Sequence, residues 1–327
     1  MKRGNNVNLA VGSYLAAIDM GSNSFHLLIA QLKVDGWQAI YTEERRVQLA
    51  AGSDTGHLQP DAQQRALQCL REYKKIMAGY CITELHVAAT ASLRNVSNAE
   101  PFLSAVEGEL GVRPIIISGE REAELVFRGV TAGLVSPSDG QYLVVDIGGG
   151  STELAWGSAA QMHGGVSVDV GCLRYLRYFP RGELQRQYFV AARDAAAKSF
   201  QQALTNIPTS FVASPPQVIA CSGTVLAVWQ VLMAQPEYPQ SAGIRLLELR
   251  ALAADLLAFN SVEEVHYPGL AEDQRSIFAS GVAVVLALFE VLNIDAMQLS
   301  QRGLREGIIE NRLTQGALKP QQGQQQQ

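Results

Sequence analysis

The chain has 327 residues, 47% hydrophobic and 17% charged, with a formal net charge of −5. That length exceeds what one hydrophobic core usually fills, so two domains are expected, and the balance excludes a disordered or fibrous protein. No global basic field exists to gather a nucleic-acid polymer, so an anionic ligand has to be held by local backbone donors, a few arginines or a metal.

Residues 1–12 are mostly polar and are expected to form an unstructured tail. Lys2 and Arg3 precede the stretch Leu9 to Ile18, but Asn5, Asn6, Asn8, Gly12 and Ser13 interrupt it, so no signal peptide is expected. Short apolar runs at Tyr14 to Ile18, Phe25 to Ala30, Leu85 to Ala89, Ile115 to Ile117, Tyr142 to Val145, Leu154 to Trp156 and Val218 to Ala220 predict strands. Helical patterns at Pro60 to Tyr80, Glu120 to Gly129 and Leu247 to Asn260 alternate with them, the mark of α/β layers around a largely buried sheet. The most apolar stretch, Gly281 to Phe289, ends at Glu290 and is far short of the roughly 20 residues that span a bilayer; it predicts a core helix and no membrane association. Residues 318–327 end in a glutamine tract and are expected as a second unstructured tail. The cysteines Cys69, Cys81, Cys172 and Cys221 form no C-x-x-C pair, so reduced thiols in a cytoplasmic protein are the expectation.

The chain repeats itself. Asp19, Gly21 and Ser24 recur as Asp146, Gly148 and Ser151, each 127 positions on, and an apolar run precedes and follows each copy. Each copy predicts strand, glycine turn, strand, and two copies imply two related domains. A glycine turn of this kind leaves backbone N–H groups pointing into one hollow, where the absent side chains let an anion approach. Ser22, Asn23 and Ser24 add donors to the first turn, and Gly149, Gly150, Ser151 and Thr152 complete the second. A single such turn by itself reads first as a tight hairpin that needs glycine for its φ angles. Asp19 and Asp146 end the preceding strands, where a carboxylate is costly to bury without compensation. Each either accepts hydrogen bonds from its own turn or holds Mg²⁺, which keeps several waters and uses one or two carboxylates plus substrate phosphates; the paired occurrence favours the metal. Ser222, Gly223 and Thr224, between a strand and an apolar helix, form either an anion site or an ordinary N-cap.

No lysine follows Gly148-Gly149-Gly150, which excludes a P-loop, and Thr152 to Trp156 reads as a strand, which excludes the dinucleotide fingerprint. Instead, Asp19-Met20-Gly21-Ser22-Asn23-Ser24-Phe25-His26, Ser118-Gly119-Glu120-Arg121-Glu122-Ala123, Asp146-Ile147-Gly148-Gly149-Gly150-Ser151-Thr152-Glu153-Leu154, Ser222-Gly223-Thr224 and Gly303-Leu304-Arg305-Glu306-Gly307 together closely resemble the exopolyphosphatase / guanosine pentaphosphate phosphatase (Ppx/GppA) family. The resemblance runs in order from about Tyr14 to Leu313. It implies two actin-like (ribonuclease H-like) α/β domains with the turns facing each other across a phosphate-binding cleft. The expected division is 14–126 plus the closing helix at 304–316 for the first domain and 127–303 for the second.

The same resemblance implies Glu122 as general base, Glu153 as a second carboxylate near the metal and the attacking water, and phosphate contacts from Thr90 and Arg94. Without it, Glu120 and Glu122 would only offset a helix dipole. Arg121 stands between them where relatives often carry another acid. The Arg174, Arg177 and Arg181 group either guides a polyanion or is simply solvated. The expected activity is Mg²⁺-dependent release of the terminal phosphate of inorganic polyphosphate. The alternatives are hydrolysis of guanosine pentaphosphate (pppGpp) to ppGpp and a weakly catalytic (p)ppGpp or polyphosphate sensor. An actin-like kinase or filament-forming ATPase is the third, against which the Ser118 to Ala123 stretch speaks. A homodimer is expected, since similar proteins are commonly dimeric. Long relatives carry a further C-terminal helical domain beyond the point where this chain stops, so weaker processivity on long polyphosphate is expected.

Overall fold

The structure is a computed structural model that describes residues 9–52, 56–94, 96–134, 140–205, 217–236, 243–316 and 318. In chain order its first half runs β1 (Tyr14–Met20), β2 (Ser24–Lys33), β3 (Gly36–Arg46), α1 (Pro60–Met77), β4 (Ile82–Ala89), α2 (Ala91–Arg94), α3 (Ala99–Leu110), β5 (Ile115–Ile116) and α4 (Gly119–Thr131). The second runs β6 (Tyr142–Ile147), β7 (Thr152–Gly157), β8 (Met162–Val168), α5 (Cys172–Tyr175), α6 (Arg186–Leu204), β9 (Gln217–Cys221), α7 (Gly223–Met233), β10 (Ile244–Arg245), α8 (Leu246–Asp255), α9 (Arg275–Leu292), β11 (Ala296–Leu299) and α10 (Leu304–Gln315).

The strands form two sheets of one design. The first is ordered β3-β2-β1-β4-β5, and the second β8-β7-β6-β9-β11-β10. In each, an antiparallel three-strand meander adds parallel strands beyond its first member, and the second sheet ends in a short antiparallel strand, β10. Side chains alternate across a strand, so β1 sends Leu15 and Ala17 to one face and Ala16, Ile18 and Met20 to the other. Likewise β6 sends Tyr142 and Val144 one way and Leu143, Val145 and Ile147 the other. Both faces of the central strands are therefore buried, which is why β1 and β6 read as unbroken apolar runs, whereas the edge strand β3 is largely exposed and polar and carries no such run. The layers are α1 and α3, the first sheet, α4 with α10, the second sheet, then α6, α7 and α9.

The middle layer joins the halves. Leu125, Val126 and Val130 of α4 and Leu304, Ile308 and Ile309 of α10 share one apolar cluster with both sheets. Gly129 and Gly307 let the two helices cross backbone to backbone: a Cβ at Gly307 would fall on the Leu125 carbonyl, and one at Gly129 on the Gly303 carbonyl. The boundary expected at 126/127 falls inside α4, whose residues pack on the second sheet while α10 returns to the first through a two-point Arg312–Glu84 pair at 2.6 and 2.8 Å. Helix α9 is buried from Ile277 to Phe289. Residues 272–292 are long and apolar enough to cross a bilayer by composition alone, but 72% of an apolar 18-residue window within them is buried inside the protein, the state of a core helix.

The expected tails need correction at their inner ends. Gly12 N–H donates to the Leu32 carbonyl at 2.9 Å, Leu9 packs on the central cluster, and Leu318 is buried in it, because each finds apolar surface beside α10 and the first sheet. Residues 1–8 and 319–327 lie outside the described residues.

Candidate active site

Both glycine turns have the same hydrogen bond. Gly21 N–H donates to the Ser24 carbonyl at 3.1 Å and Gly148 N–H to the Ser151 carbonyl at 2.9 Å. A Cβ at Gly21 would lie 2.7 Å from that Ser24 oxygen, so only glycine closes the first turn. The turns meet each other: Cβ atoms at Gly150 and Gly149 would lie 3.0 Å from Ser22 Oγ and 3.3 Å from Ser22 Cβ. Their carbonyls are already engaged. Ser22 and Asn23 oxygens accept from Ala50, Val47 and Gln48, while Gly148 and Gly149 oxygens accept from Cys172, Leu173 and Arg174 at the start of α5. Among the described residues the N–H groups of Ser22, Asn23, Gly149 and Gly150 donate to no protein acceptor, so the junction offers an anion four backbone donors.

Carboxylates gather at the same junction. Register places Asp146 opposite Glu153 across β6 and β7, and Asp19 opposite His26 across β1 and β2. Helix α4, started by Ser118 Oγ accepting from Arg121 N–H at 3.2 Å, brings in Glu122. Arg94 Nη1 donates to Glu122 Oε2 at 2.7 Å and to the Ile117 carbonyl at 3.1 Å, and its Nη2 lies 3.9 Å from Glu153 Oε1. Ser151 and Ser167 hydroxyls donate to Glu153 Oε1 at 2.8 and 2.7 Å.

Burial pushes these carboxyls up. Asp19 rises to about 8, with the Asp146 charge adding to burial and Arg305 opposing. Asp146 rises to about 6 by burial. Glu153 rises to about 7 by burial and the Asp146 charge, held back by its two serine hydroxyls and Arg94. Glu122 is raised by burial and by Glu153, against the pull of Arg94. His26 is driven down to about 3 by burial and Arg305, and is neutral. The hollow is thus short of positive charge, and Asp19 Oδ1 is buried with no hydrogen-bond partner among the described residues. Among the described residues no group of three or more His, Cys, Asp or Glu side chains converges to hold a metal unaided. Such a donor set fits a hard cation that draws the rest of its shell from water and phosphate oxygens, as Mg²⁺ does.

Asp19, Glu122, Asp146, Glu153, Gly21 to Ser24, Gly148 to Ser151, Thr90 and Ser222 to Thr224 all line one cleft of about 680 Å³. Arg94 does not line it; its guanidinium is turned onto Glu122 and Glu153. Ser222 is both N-cap and cleft residue: its Oγ accepts from Val225 N–H at 3.4 Å, with the backbone at φ 104°, ψ 155°, a region otherwise almost reserved for glycine. Glu153 is buried, although a strand glutamate usually faces solvent. Arg174 is held by the Gly150 carbonyl at 3.0 Å and Asp169 at 3.1 Å, and Arg177 stacks over Tyr175 and Tyr178.

Sequence reasoning assigned no role to His26, Arg305, Glu306, Arg302 or Ser167. His26 stands 127 positions before Glu153, so carrying the internal repeat one step further would have flagged it. Glu306 reaches back to Gly303 N–H at 2.7 Å and starts α10, which sets Arg305 at the cleft. Nothing in the sequence signals Arg302, stacked on Trp37 at 4.9 Å and bonded to Glu310 at 2.7 Å, because these contacts join distant segments.

Comparison with known proteins bears on this geometry. The model of the Ppx/GppA phosphatase family matches residues 28–315. An exopolyphosphatase-like protein of solved structure is 26% identical, with a TM-score of 0.83, over 92% of this chain and 98% of its own. An exopolyphosphatase from Cytophaga hutchinsonii is also 26% identical, with a TM-score of 0.79 over the same shares. The Ppx/GppA family member from Aquifex aeolicus, 24% identical with a TM-score of 0.73 over 92% of this chain and 97% of its own, shares the fold. The two sheets are accordingly those of paired actin-like α/β domains. With nearly nine-tenths of its length matched by that family model and the turns and carboxylates of the resemblance gathered in one cleft, the chain belongs to the Ppx/GppA phosphatase family.

Proposed function

We propose that this chain is a Mg²⁺-dependent exopolyphosphatase that hydrolyses the terminal phosphoanhydride of inorganic polyphosphate and releases orthophosphate. The observation that carries the reading is the contact between the two turns, which puts four free N–H donors beside Glu122 and Glu153. Two similar proteins of known structure are named as exopolyphosphatases or exopolyphosphatase-like.

The turns hold the terminal phosphoryl group through backbone N–H and the Ser22, Ser24 and Ser151 hydroxyls, donors fixed before the substrate arrives. Asp19, Asp146 and Glu153, which do not converge closely enough to ligate an ion by themselves, would hold Mg²⁺ through its water shell, and the ion supplies charge neutralisation on the phosphate oxygens when bound. Glu122 orients a water in line with the scissile P–O bond and takes its proton. The water oxygen bonds to phosphorus, the bridging oxygen leaves on the shortened chain, and orthophosphate departs. A raised proton affinity suits a carboxylate to this task near neutral pH, and Arg94 keeps its anionic form accessible.

A second reading, pppGpp hydrolysis, draws on one feature. Beyond Thr224 the cleft runs along Leu226, Ala227, Ile277 and Phe278, an apolar wall that offers an inorganic chain nothing but gives a nucleoside surface to bury. Phosphate release from tripolyphosphate, long polyphosphate and pppGpp, measured side by side with and without Mg²⁺, decides. Faster turnover of polyphosphate is expected. Preference for pppGpp would install the second reading, and tight calorimetric binding without hydrolysis would make the protein a sensor.

A further inference from the structure

Ser167 has no part in the chemistry described so far, yet it touches both carboxylate-bearing elements. It stands opposite Glu153 in the β7–β8 register, and its Oγ lies 2.7 Å from Glu153 Oε1. Ser151 donates to that same oxygen from the other side of the turn. Two hydroxyls on one oxygen fix the plane of the carboxylate and leave Oε2, which accepts no hydrogen bond among the described residues, as the oxygen free for the cleft.

The same side chain is also the seat of α4. A Cβ on Gly119, the first residue of that helix, would fall on Ser167 Cβ and lie 2.6 Å from Ser167 Oγ. Glycine at 119 therefore lets the helix start close directly onto β8. Glu122 sits three residues on, about 4.5 Å further along the axis. Whatever sets the contact between Gly119 and Ser167 thereby sets how near Glu122 comes to Glu153, and Arg94 then spans the two.

We infer that Ser167 is a positioning residue for phosphoanhydride hydrolysis: its hydroxyl orients Glu153, and its Cβ fixes the approach of the helix that carries Glu122. The inference rests on the phosphohydrolase reading. It separates binding from turnover, because among the described residues the Ser167 hydroxyl bonds to Glu153 and to no residue of either turn, so its loss should leave the phosphate cradle as it was.

The test compares Ser167→Ala, Ser167→Cys and Ser167→Thr with wild type on tripolyphosphate, together with melting temperatures and crystal structures of the wild type and the alanine variant. Cysteine keeps the volume with a weak donor, and threonine keeps the hydroxyl. Loss of one charge-assisted hydrogen bond predicts that alanine and cysteine lower kcat about 10- to 100-fold with KM within about twofold, and that threonine restores most of it. Turnover within about twofold of wild type in both alanine and cysteine variants would overturn the inference, as would a loss in threonine equal to that in alanine. Should alanine fail to fold, the cysteine variant decides. If the wild type hydrolyses neither tripolyphosphate nor pppGpp, the functional reading fails by itself. The crystal structures then judge the inference: a Glu153 carboxylate turned away from Ser151 sustains it, and an unmoved one ends it.

Discussion

In the first half of the molecule Asp19 faces His26 across a strand pair, and in the second Asp146 faces Glu153 across the corresponding pair. The parallel neighbour is Ala88 in one and Cys221 in the other. Backbone geometry is repeated down to the turn hydrogen bond, while the side chain at the position 127 residues apart is a neutral imidazole in one half and a carboxylate in the other. The duplicated scaffold thus supplies two turns with free N–H donors, while the buried glutamates Glu153 and Glu122 belong to the second half and to α4 between them. A repeat fixes where donors converge; single substitutions within it decide which half places a carboxylate beside them.

The largest expected effect tests that asymmetry. Glu153→Gln should lower kcat about 10²- to 10⁴-fold, whereas His26→Gln at the matching position should cost less than about tenfold. Steady-state phosphate release from tripolyphosphate measures both, and equal losses would mean the halves share the load.

What the halves have in common is the α4–α10 crossing, and it should be the least tolerant point in the fold. Gly307→Ala should cost about 3 kcal/mol or more in urea unfolding, since its Cβ meets a carbonyl within a packed layer. Gly108→Ala in α3, with open space around it, should instead gain about 0.5–1 kcal/mol. A small loss at Gly307 would show that the halves slide apart without penalty.

The two aspartates should separate by pH. Both have folded values raised above the unfolded range, so each stabilises the fold below about pH 4 and loses that contribution as pH rises, through about 6 for Asp146 and about 8 for Asp19. In the presence of a chelator the melting temperature should therefore fall between pH 5 and about 8.5, and Mg²⁺ should flatten the slope. Asp19→Asn should remove the upper part of the decline. Asp146→Asn should remove the lower part and ease the upper, because its charge helps raise Asp19. A melting temperature that climbs with pH over this range would refute the assignment.

The smallest effect is also the one with opposite signs in the two halves. Ser222 and Ala89 each follow the strand residue paired with the site aspartate, but only Ser222 holds a positive φ. Ser222→Gly should stabilise the protein by about 1 kcal/mol despite a slightly weaker cap, and Ala89→Gly should destabilise it by about 1 kcal/mol. Thermal unfolding of the pair checks both, and a shared sign would show that the strain at Ser222 is not felt.

Much of this was readable beforehand because it is written locally. The strand starting at Tyr14, the turn at Gly21, the helix starting near Pro60 and the buried run from Gly281 follow from period, glycine and apolar content alone, and strand ends differ from expectation by only a few residues. The division at 126/127 falls inside α4, one uninterrupted helix that packs on β7, β8 and α10, contacts that no local pattern encodes. Arg94 was expected on phosphate, and its place on Glu122 depends on how β4 and α4 pack, which no motif encodes.

By itself the sequence determined that two aspartate-glycine-serine hairpins exist, because residue type at fixed spacing dictates a strand and its turn. Only the tertiary structure decided that the hairpins touch, that Ser167 lies between Glu153 and the helix bearing Glu122, and that Asp19 Oδ1 is left without a partner. Those facts arise from segments distant in the chain coming into van der Waals contact, and burial, which pushes up the carboxyls of Asp19, Glu122, Asp146 and Glu153, belongs to that packing and not to any residue alone.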